Sequence, residues 1–220
     1  MITAAGVIKT VHILSMCTWL GVDLGVFLCS RLARDRSLSA EARTQFVKLL
    51  GILDLGPRIS LLATIPLGLS LTHLQGWGLP GVGAGWFWLL FLFTALWAGL
   101  VVRQHHGLGR WARPFAVVDT CLRVAVVVVA IALALKAGHQ IEVAWLRWKV
   151  ALFAAMVACG LWIRYALRDL GPSFAATLSD NADTETFVVV DRQIRAALPP
   201  VFLIWTGVVV SIVLAVAKPG

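Results

Sequence analysis

About six runs of mostly apolar residues, each close to the length needed to span a membrane, constrain the fold of this chain most strongly. A helix needs about 20 apolar residues to cross the roughly 30 Å hydrocarbon core of a bilayer. Because no water is available there to pair with backbone groups, each run is expected to be an α-helix. The sequence therefore predicts an all-α integral membrane protein, a bundle with spans at residues 4–28, 58–76, 86–103, 117–137, 143–165 and 198–217.

The composition agrees with a membrane bundle rather than a soluble domain. Hydrophobic residues make up 60% of the 220 residues and charged residues only 14%, with a mean hydropathy of +0.87. The first apolar run lacks the basic start of a signal peptide and is longer than one, so we expect it to be the first span. The predicted spans leave no room for a second domain, so residues 1–220 are expected to form a single one.

The basic residues lie in alternate loops, which predicts how the bundle is oriented. The loop at 77–85 has no charged residue and the loop at 138–142 has only Glu142. Loops rich in Lys and Arg stay on the cytoplasmic side, so both termini are expected outside the bacterial inner membrane. The net charge of +8 then needs no nucleic-acid partner. The basic loops carry Arg31, Arg34, Arg36, Arg43, Lys48, Arg58, Arg103, Arg110, Arg113, Arg164, Arg168, Arg192 and Arg195.

The two longest loops are expected to contain helices of their own. At residues 39–53, Ser39 suits a helix cap, Glu41 suits the first turn, and the apolar residues that follow predict an amphipathic helix on the cytoplasmic surface. In the loop at 166–197, a helix is expected to begin near Thr184 and lead into the last span. Both loops are alternatively docking surfaces for a partner subunit.

A weak internal repeat suggests how the helices pair. The segments Trp86 to Trp97 and Trp145 to Met156 both begin with Trp and run through an apolar helix into basic residues. Each is followed by a turn that contains Pro and Phe. This pattern favours three repeated helical hairpins.

His12 is the principal candidate for a functional residue, because an ionisable group within a membrane span is costly unless it has a role. It lies roughly 12 Å along the first helix from its outer end. On the predicted topology, His73 lies near the outer end of the second span. Lys149 lies one to two turns into the fifth span, and His139 lies in the outer loop just before that span. These four side chains therefore come to the same leaflet.

Imidazoles in a membrane bundle suit the axial positions of a b-type haem. His12 and His73 are the preferred ligands, since consecutive antiparallel helices are usually neighbours. Lys149 or Arg147 would neutralise a propionate or contact a substrate carboxylate. His139 and His106 are less favoured ligands. The structural alternatives are that His73 is an interfacial polar residue and that Lys149 extends to the membrane surface.

Copper is the alternative metal. His12 and Met16 are four residues apart on one helical face, with Cys17 beside them, a set that suits Cu(I). The chain has no Met-rich run, which makes copper the second choice.

Two small residues and a carboxylate mark the inner part of the first span. Gly21 and Gly25 have the spacing that lets another helix approach closely. Asp23, between them, is expected to pair with Arg58 at the start of the second span, and a proton path is the less favoured alternative.

Several short motifs resemble a bacterial superfamily that contains the HemJ-type membrane protoporphyrinogen oxidases and the copper-resistance D proteins. The motifs lie at residues 9–14, 18–21, 106–111, 146–152 and 192–219. The resemblance implies a haem b site with His12 as ligand, and it matches Lys149 to a functionally important lysine. It also implies electron transfer to quinone.

Together these features predict a haem b-binding membrane protein in electron transfer, with a quinone or a redox partner subunit. Protoporphyrinogen oxidase-like activity is one form of this function. The alternatives are a copper transport or resistance permease and a non-catalytic membrane anchor of a larger complex. A homo-oligomer is also an open alternative.

Overall fold

The computed structural model describes residues 3–107, 109–135, 141–178 and 184–218. Within these ranges the chain is helical, and the predicted all-α class is confirmed. A short 3-10 helix, Gly109–Trp111, precedes α4. The α-helices are α1 (Ala4–Ala33), α2 (Ala40–Leu74), α3 (Ala84–His105), α4 (Ala112–Ala134), α5 (Ala144–Ala166), α6 (Leu170–Ala176) and α7 (Thr184–Ala217).

Six of these helices form a closed ring. Each long helix packs against the next in the order α1, α2, α3, α4, α5 and α7, and α7 returns to α1. The core fills the interior from five of the six helices, with Trp19, Leu62, Trp97, Val157 and Val208 among its buried residues. The expected hairpin is clear for α1 and α2. By contrast, α4 packs more extensively against α5 than against α3, so the ring is not three separate hairpins.

Five segments are long and apolar enough to cross a membrane: Ala4–Ala33, Ala84–His105, Ala112–Ala134, Ala144–Ala176 and Thr184–Ala217. The chain is therefore a multi-pass membrane protein by the length and composition of its helices. The more polar α2 is not among the five. Its buried residues include Ser60, Thr64, Ser70 and Thr72. Neighbouring helices rather than lipid surround these side chains, so this part of α2 does not need an apolar surface.

The two predicted loop helices are continuous with the long helices that follow them. The Ser39 hydroxyl accepts the backbone N–H of Ala42 at 3.2 Å, which confirms the predicted cap. The expected break between a surface helix and the second span is wrong, because α2 continues through Pro57 and Pro66. Neighbouring helices can accommodate the backbone group that a proline leaves unpaired. The predicted helix that runs from Thr184 into the last span is confirmed.

α1 and α2 pack together more extensively than any other pair of helices, and of the two glycines expected to permit this packing only Gly25 does so. A Cβ atom on Gly25 would lie 3.2 Å from the Leu53 side chain, whereas one on Gly21 would have nothing within 4 Å. On the α2 side, a Cβ atom on Gly56 would lie 2.8 Å from Val22 Cγ1. Gly25 and Gly56 therefore permit the approach, and Gly21 does not contribute.

The two ends of the ring differ. We call the end where α1 begins and α7 finishes the termini end, and the end that carries the basic loops the arginine-rich end. At the arginine-rich end, a second apolar cluster of Ala33, Phe174, Val190 and Ile194 joins α1, α6 and α7. An ion pair of 2.9 Å between Arg34 and Asp191 also links α1 to α7.

Candidate functional site

His12 lies on the buried face of α1, one turn before Met16, and only 8% of the residue is exposed. Its Nδ1 atom has no hydrogen-bond partner among the described residues. Gly68 of α2 lies opposite, where an added Cβ would be 3.6 Å from His12 Cε1. A buried polar atom without a partner costs about 1–3 kcal/mol. The fold thus holds a buried imidazole whose Nδ1 atom makes no hydrogen bond to the described residues.

Lys149 and Arg147 of α5 come to the same half of the ring. Lys149 is half-buried and lies within electrostatic range of His12. Arg147 is also half-buried, and its Nε atom has no partner among the described residues. The structure therefore places two cations of α5 in the same half of the ring as His12.

Two serines that the sequence analysis did not select share this property. Ser70 of α2 and Ser211 of α7 are both buried, and neither hydroxyl has a partner within the described ranges. Together with those of His12 and Arg147, these unpartnered atoms come from four helices in the half of the ring at the termini end; further ones, on Arg43, Arg123 and Gln193, lie toward the arginine-rich end. The only sequence signal was a small polar residue in each apolar segment, which packing alone also explains.

His73 occupies a different part of α2. Its ring lies 4.9 Å from that of Phe87 on α3, and its Nδ1 atom is 3.4 Å from the Leu79 carbonyl oxygen. Gly68, which faces His12, is five residues before His73 in α2. Over five residues a helix makes one full turn and about 140° more, so the two residues lie on different faces of α2. The structure therefore does not bring His73 to the α2 face that contacts His12. Their pairing as haem ligands stays a prediction, which this packing disfavours.

The remaining predicted ligands do not join His12. His106 follows the last turn of α3 at the arginine-rich end, exposed and beside His105, with 5.4 Å between ring centroids. It is therefore separated from His12 by most of the length of the bundle. His139 lies outside the described residues.

The copper set is not assembled around His12. Met16 shares the buried face with His12 and belongs to the core, whereas Cys17 is exposed on another face of α1. Across the described ranges, no three His, Cys, Asp or Glu side chains form a group that could hold a metal ion.

A buried ionic cluster lies nearer the arginine-rich end. Asp119 of α4 accepts hydrogen bonds from Trp97 Nε1 at 2.7 Å and from Arg123 Nε at 3.1 Å, and it is ion-paired with Arg164 of α5. Arg123 Nη2 has no partner in the described part of the chain. We name Asp119, Arg123, Arg164 and Trp97 the Asp119 cluster. It links α3, α4 and α5, which suits a structural role.

The carboxylate of Asp23 has a different partner from the one expected. It accepts a hydrogen bond of 2.7 Å from Trp205 Nε1 on α7. Arg58 instead forms an ion pair with Asp54, one turn earlier in α2. The expected pair of Asp23 with Arg58 is wrong, because a carboxylate on the same helix was available to the arginine.

No family model matches this chain, and no curated protein or solved structure matches it.

Proposed function

We propose that this chain is a haem b-binding protein of the bacterial cytoplasmic membrane that takes part in electron transfer. The observation that carries the proposal is the buried imidazole of His12, which faces Gly68 and whose Nδ1 atom has no partner among the described residues. Neutral imidazole is a common axial ligand of haem iron. A haem needs only one or two protein ligands, unlike a metal site built from three or four side chains.

The residues at the termini end fit such a group by their chemistry. His12 would supply an axial nitrogen, and its position on the buried face of α1 fixes the ring toward the interior. Lys149 and Arg147 would hold the anionic propionates through charge-assisted hydrogen bonds. Bound haem would supply reversible one-electron transfer at its iron. His73 remains the proposed second ligand, on the condition that its ring leaves Phe87 and that α2 rotates to turn it toward His12.

Electron exchange would occur with a quinone or a redox partner subunit, and protoporphyrinogen oxidase-like activity is one form of this function. This part of the proposal rests on the resemblance of the motifs around His12 and Lys149. Copper handling is disfavoured by the exposure of Cys17 away from His12. No contact in the described residues favours an anchor role over haem binding.

The spectrum of the purified protein tests the proposal. We expect a reduced-minus-oxidised absorption spectrum with a sharp α band, and we expect His12→Ala to abolish it. His105→Ala is the matched control, since that exposed imidazole lies at the opposite end of the bundle. Loss of the band in His73→Ala would identify the second ligand. A colourless wild-type protein, purified with haem supplied during growth, would refute haem binding.

We also propose that α2 is a sixth span and that both termini lie outside. The basic loops support this topology. Single cysteines at Ser37, before α2, and at Gly83, after it, test it in a variant whose four native cysteines are replaced by serine. If α2 crosses the membrane, a membrane-impermeant maleimide applied to intact cells labels Gly83→Cys and not Ser37→Cys. Equal labelling of both positions would contradict the sixth span.

A further inference from the structure

Three arginines meet at a cavity far from His12, at the arginine-rich end. Arg34 and Arg36 follow α1, and Arg43 lies in the first turn of α2. The cavity has a volume of about 60 Å³, and its other walls come from α6 and α7, including Phe187 and Asp191. A single water molecule needs roughly 10–15 Å³ of cavity volume, so this cavity has room for a group of several heavy atoms.

Arg43 is the unusual member of this set. Only 6% of the residue is exposed. Its Nη2 atom donates to the Thr177 carbonyl oxygen at 3.2 Å, but Nε and Nη1 have no partner among the described residues. Its guanidinium lies 5.1 Å from the centre of the Phe187 ring. Arg43 is among the residues that line the cavity, and a buried guanidinium of this kind is costly unless its charge is compensated.

The other charges leave an excess of positive charge at the cavity. Arg34 is satisfied, since it donates to Asp191 at 2.9 Å and to the Ser30 carbonyl oxygen at 3.1 Å. Arg36 is exposed, and its guanidinium lies 4.4 Å from the Phe187 ring centre. Among the charged residues that line the cavity, three arginines oppose one carboxylate, an excess of two positive charges.

We propose that this cavity binds a phosphoryl group, with Arg43 and Arg36 as its donors. A phosphate monoester carries close to two negative charges at neutral pH and offers three acceptor oxygens, which match the excess charge and the free donors of Arg43. The group would belong to an anionic lipid or to a soluble phosphate compound, since the chemistry recognised is the same. The site is independent of the proposed haem, which lies at the termini end.

Thermal unfolding of the full-length protein in detergent tests the proposal. We expect inorganic phosphate to raise the melting temperature more than sodium chloride of equal ionic strength. Arg43→Gln should weaken the apparent affinity for phosphate about 10-fold or more, because a hydrogen bond to a charged group contributes about 1.5–3 kcal/mol. Arg36→Gln, at an exposed position that does not threaten folding, should weaken it about 3-fold.

Arg192→Gln is the matched control, because Arg192 is an exposed arginine of α7 next to Asp191 that does not line the cavity. It should bind phosphate as the wild type does. No stabilisation beyond that of chloride, or equal losses in Arg192→Gln and Arg36→Gln, would overturn the proposal.

A second titration distinguishes the two sources of the phosphoryl group. Dihexanoyl phosphatidic acid is compared with inorganic phosphate, with dihexanoyl glycerol as the uncharged control. If phosphatidic acid stabilises the protein at concentrations at least about 10-fold below those needed for phosphate, the ligand is a lipid headgroup, provided that Arg36→Gln weakens the binding of phosphatidic acid as it weakens that of phosphate. If phosphatidic acid and phosphate stabilise the protein at equal concentrations, the ligand is a soluble phosphate compound. Either of these two results supports a phosphoryl site. Stabilisation by dihexanoyl glycerol equal to that by phosphatidic acid would exclude a lipid headgroup.

Discussion

Two buried polar groups, one toward each end of the ring, are held in opposite ways. Toward the arginine-rich end, the Asp119 carboxylate is bound by Trp97, Arg123 and Arg164. Toward the termini end, the His12 imidazole has an Nδ1 atom with no partner among the described residues. Both groups are buried in spans. The Asp119 carboxylate is bound by donors from three helices, whereas the Nδ1 atom of His12 is bound by none among the described residues.

This difference separates a structural role from a functional one. Buried charges that are paired cost much when one partner is removed, because the remaining charges stay buried. A buried polar atom that is unpaired already carries its penalty in the folded protein, so its removal relieves a cost. The Asp119 cluster is therefore expected to hold helices together, and His12 is expected to serve a ligand. Substitutions in each half test this contrast.

Removal of Asp119 should have the largest effect. In Asp119→Ala, Arg123 and Arg164 lose their carboxylate, and we expect the free energy of unfolding to fall by about 3–5 kcal/mol. Denaturation by SDS in mixed micelles measures it. In a double-mutant cycle, Asp119→Ala with Arg123→Met should cost less than the sum of the single changes. Additive losses would mean that Asp119 and Arg123 are not coupled.

Trp205→Phe should have an intermediate effect. The variant keeps an aromatic ring against Phe27 and Phe202 but removes the donor to Asp23. Leaving that carboxylate without its hydrogen bond should cost about 1–3 kcal/mol in the same unfolding measurement. Trp162→Phe, at an exposed tryptophan of α5, is the control and should change little. Equal losses in the two variants would show that ring size, not the hydrogen bond, determines the result.

The sequence predicts the helices far better than it predicts which side chains meet. Runs of about 20 apolar residues mark a span directly, and Ser39 marks a helix start, because both depend on neighbours in the chain. The direction in which His73 points depends on rotation of α2 about its axis, which no local pattern encodes. For the same reason Arg58 is found with Asp54, one turn away, rather than with Asp23 on another helix. The unpartnered hydroxyls of Ser70 and Ser211 were equally invisible, since a buried serine becomes unusual only when its surroundings are known.

His12→Leu should have a smaller effect on stability than either substitution above, and of the opposite sign. The haem-free protein should gain about 1 kcal/mol in the free energy of unfolding, because an unpaired imidazole atom is replaced by an apolar side chain of similar size. The measurement is the same denaturation on protein from haem-deficient cells. His105→Leu, at an exposed imidazole, should be neutral. A loss of several kcal/mol in His12→Leu would assign His12 a structural role and remove the contrast with Asp119.

The smallest effect should come from a carboxylate that is well partnered but exposed. Asp35, in the loop after α1, accepts hydrogen bonds from the Ser37 hydroxyl at 2.7 Å and the Ser37 backbone N–H at 2.9 Å. The Ser37 hydroxyl, first, and then its backbone N–H hold the pKa of Asp35 below its usual value. A lowered carboxyl pKa adds stability above the pKa of the unfolded chain, and this stability is lost as the pH falls through the folded value. Ser37→Ala should therefore raise the pKa of Asp35, measured by carboxyl carbon NMR, and lower the stability at neutral pH by less than either destabilising substitution above, because the lost hydrogen bond is exposed to solvent. If Ser37→Ala destabilised the protein as much as Trp205→Phe, the number of hydrogen bonds rather than burial would decide the cost of a lost partner. The difference between Asp119 and His12 would then need an explanation other than burial.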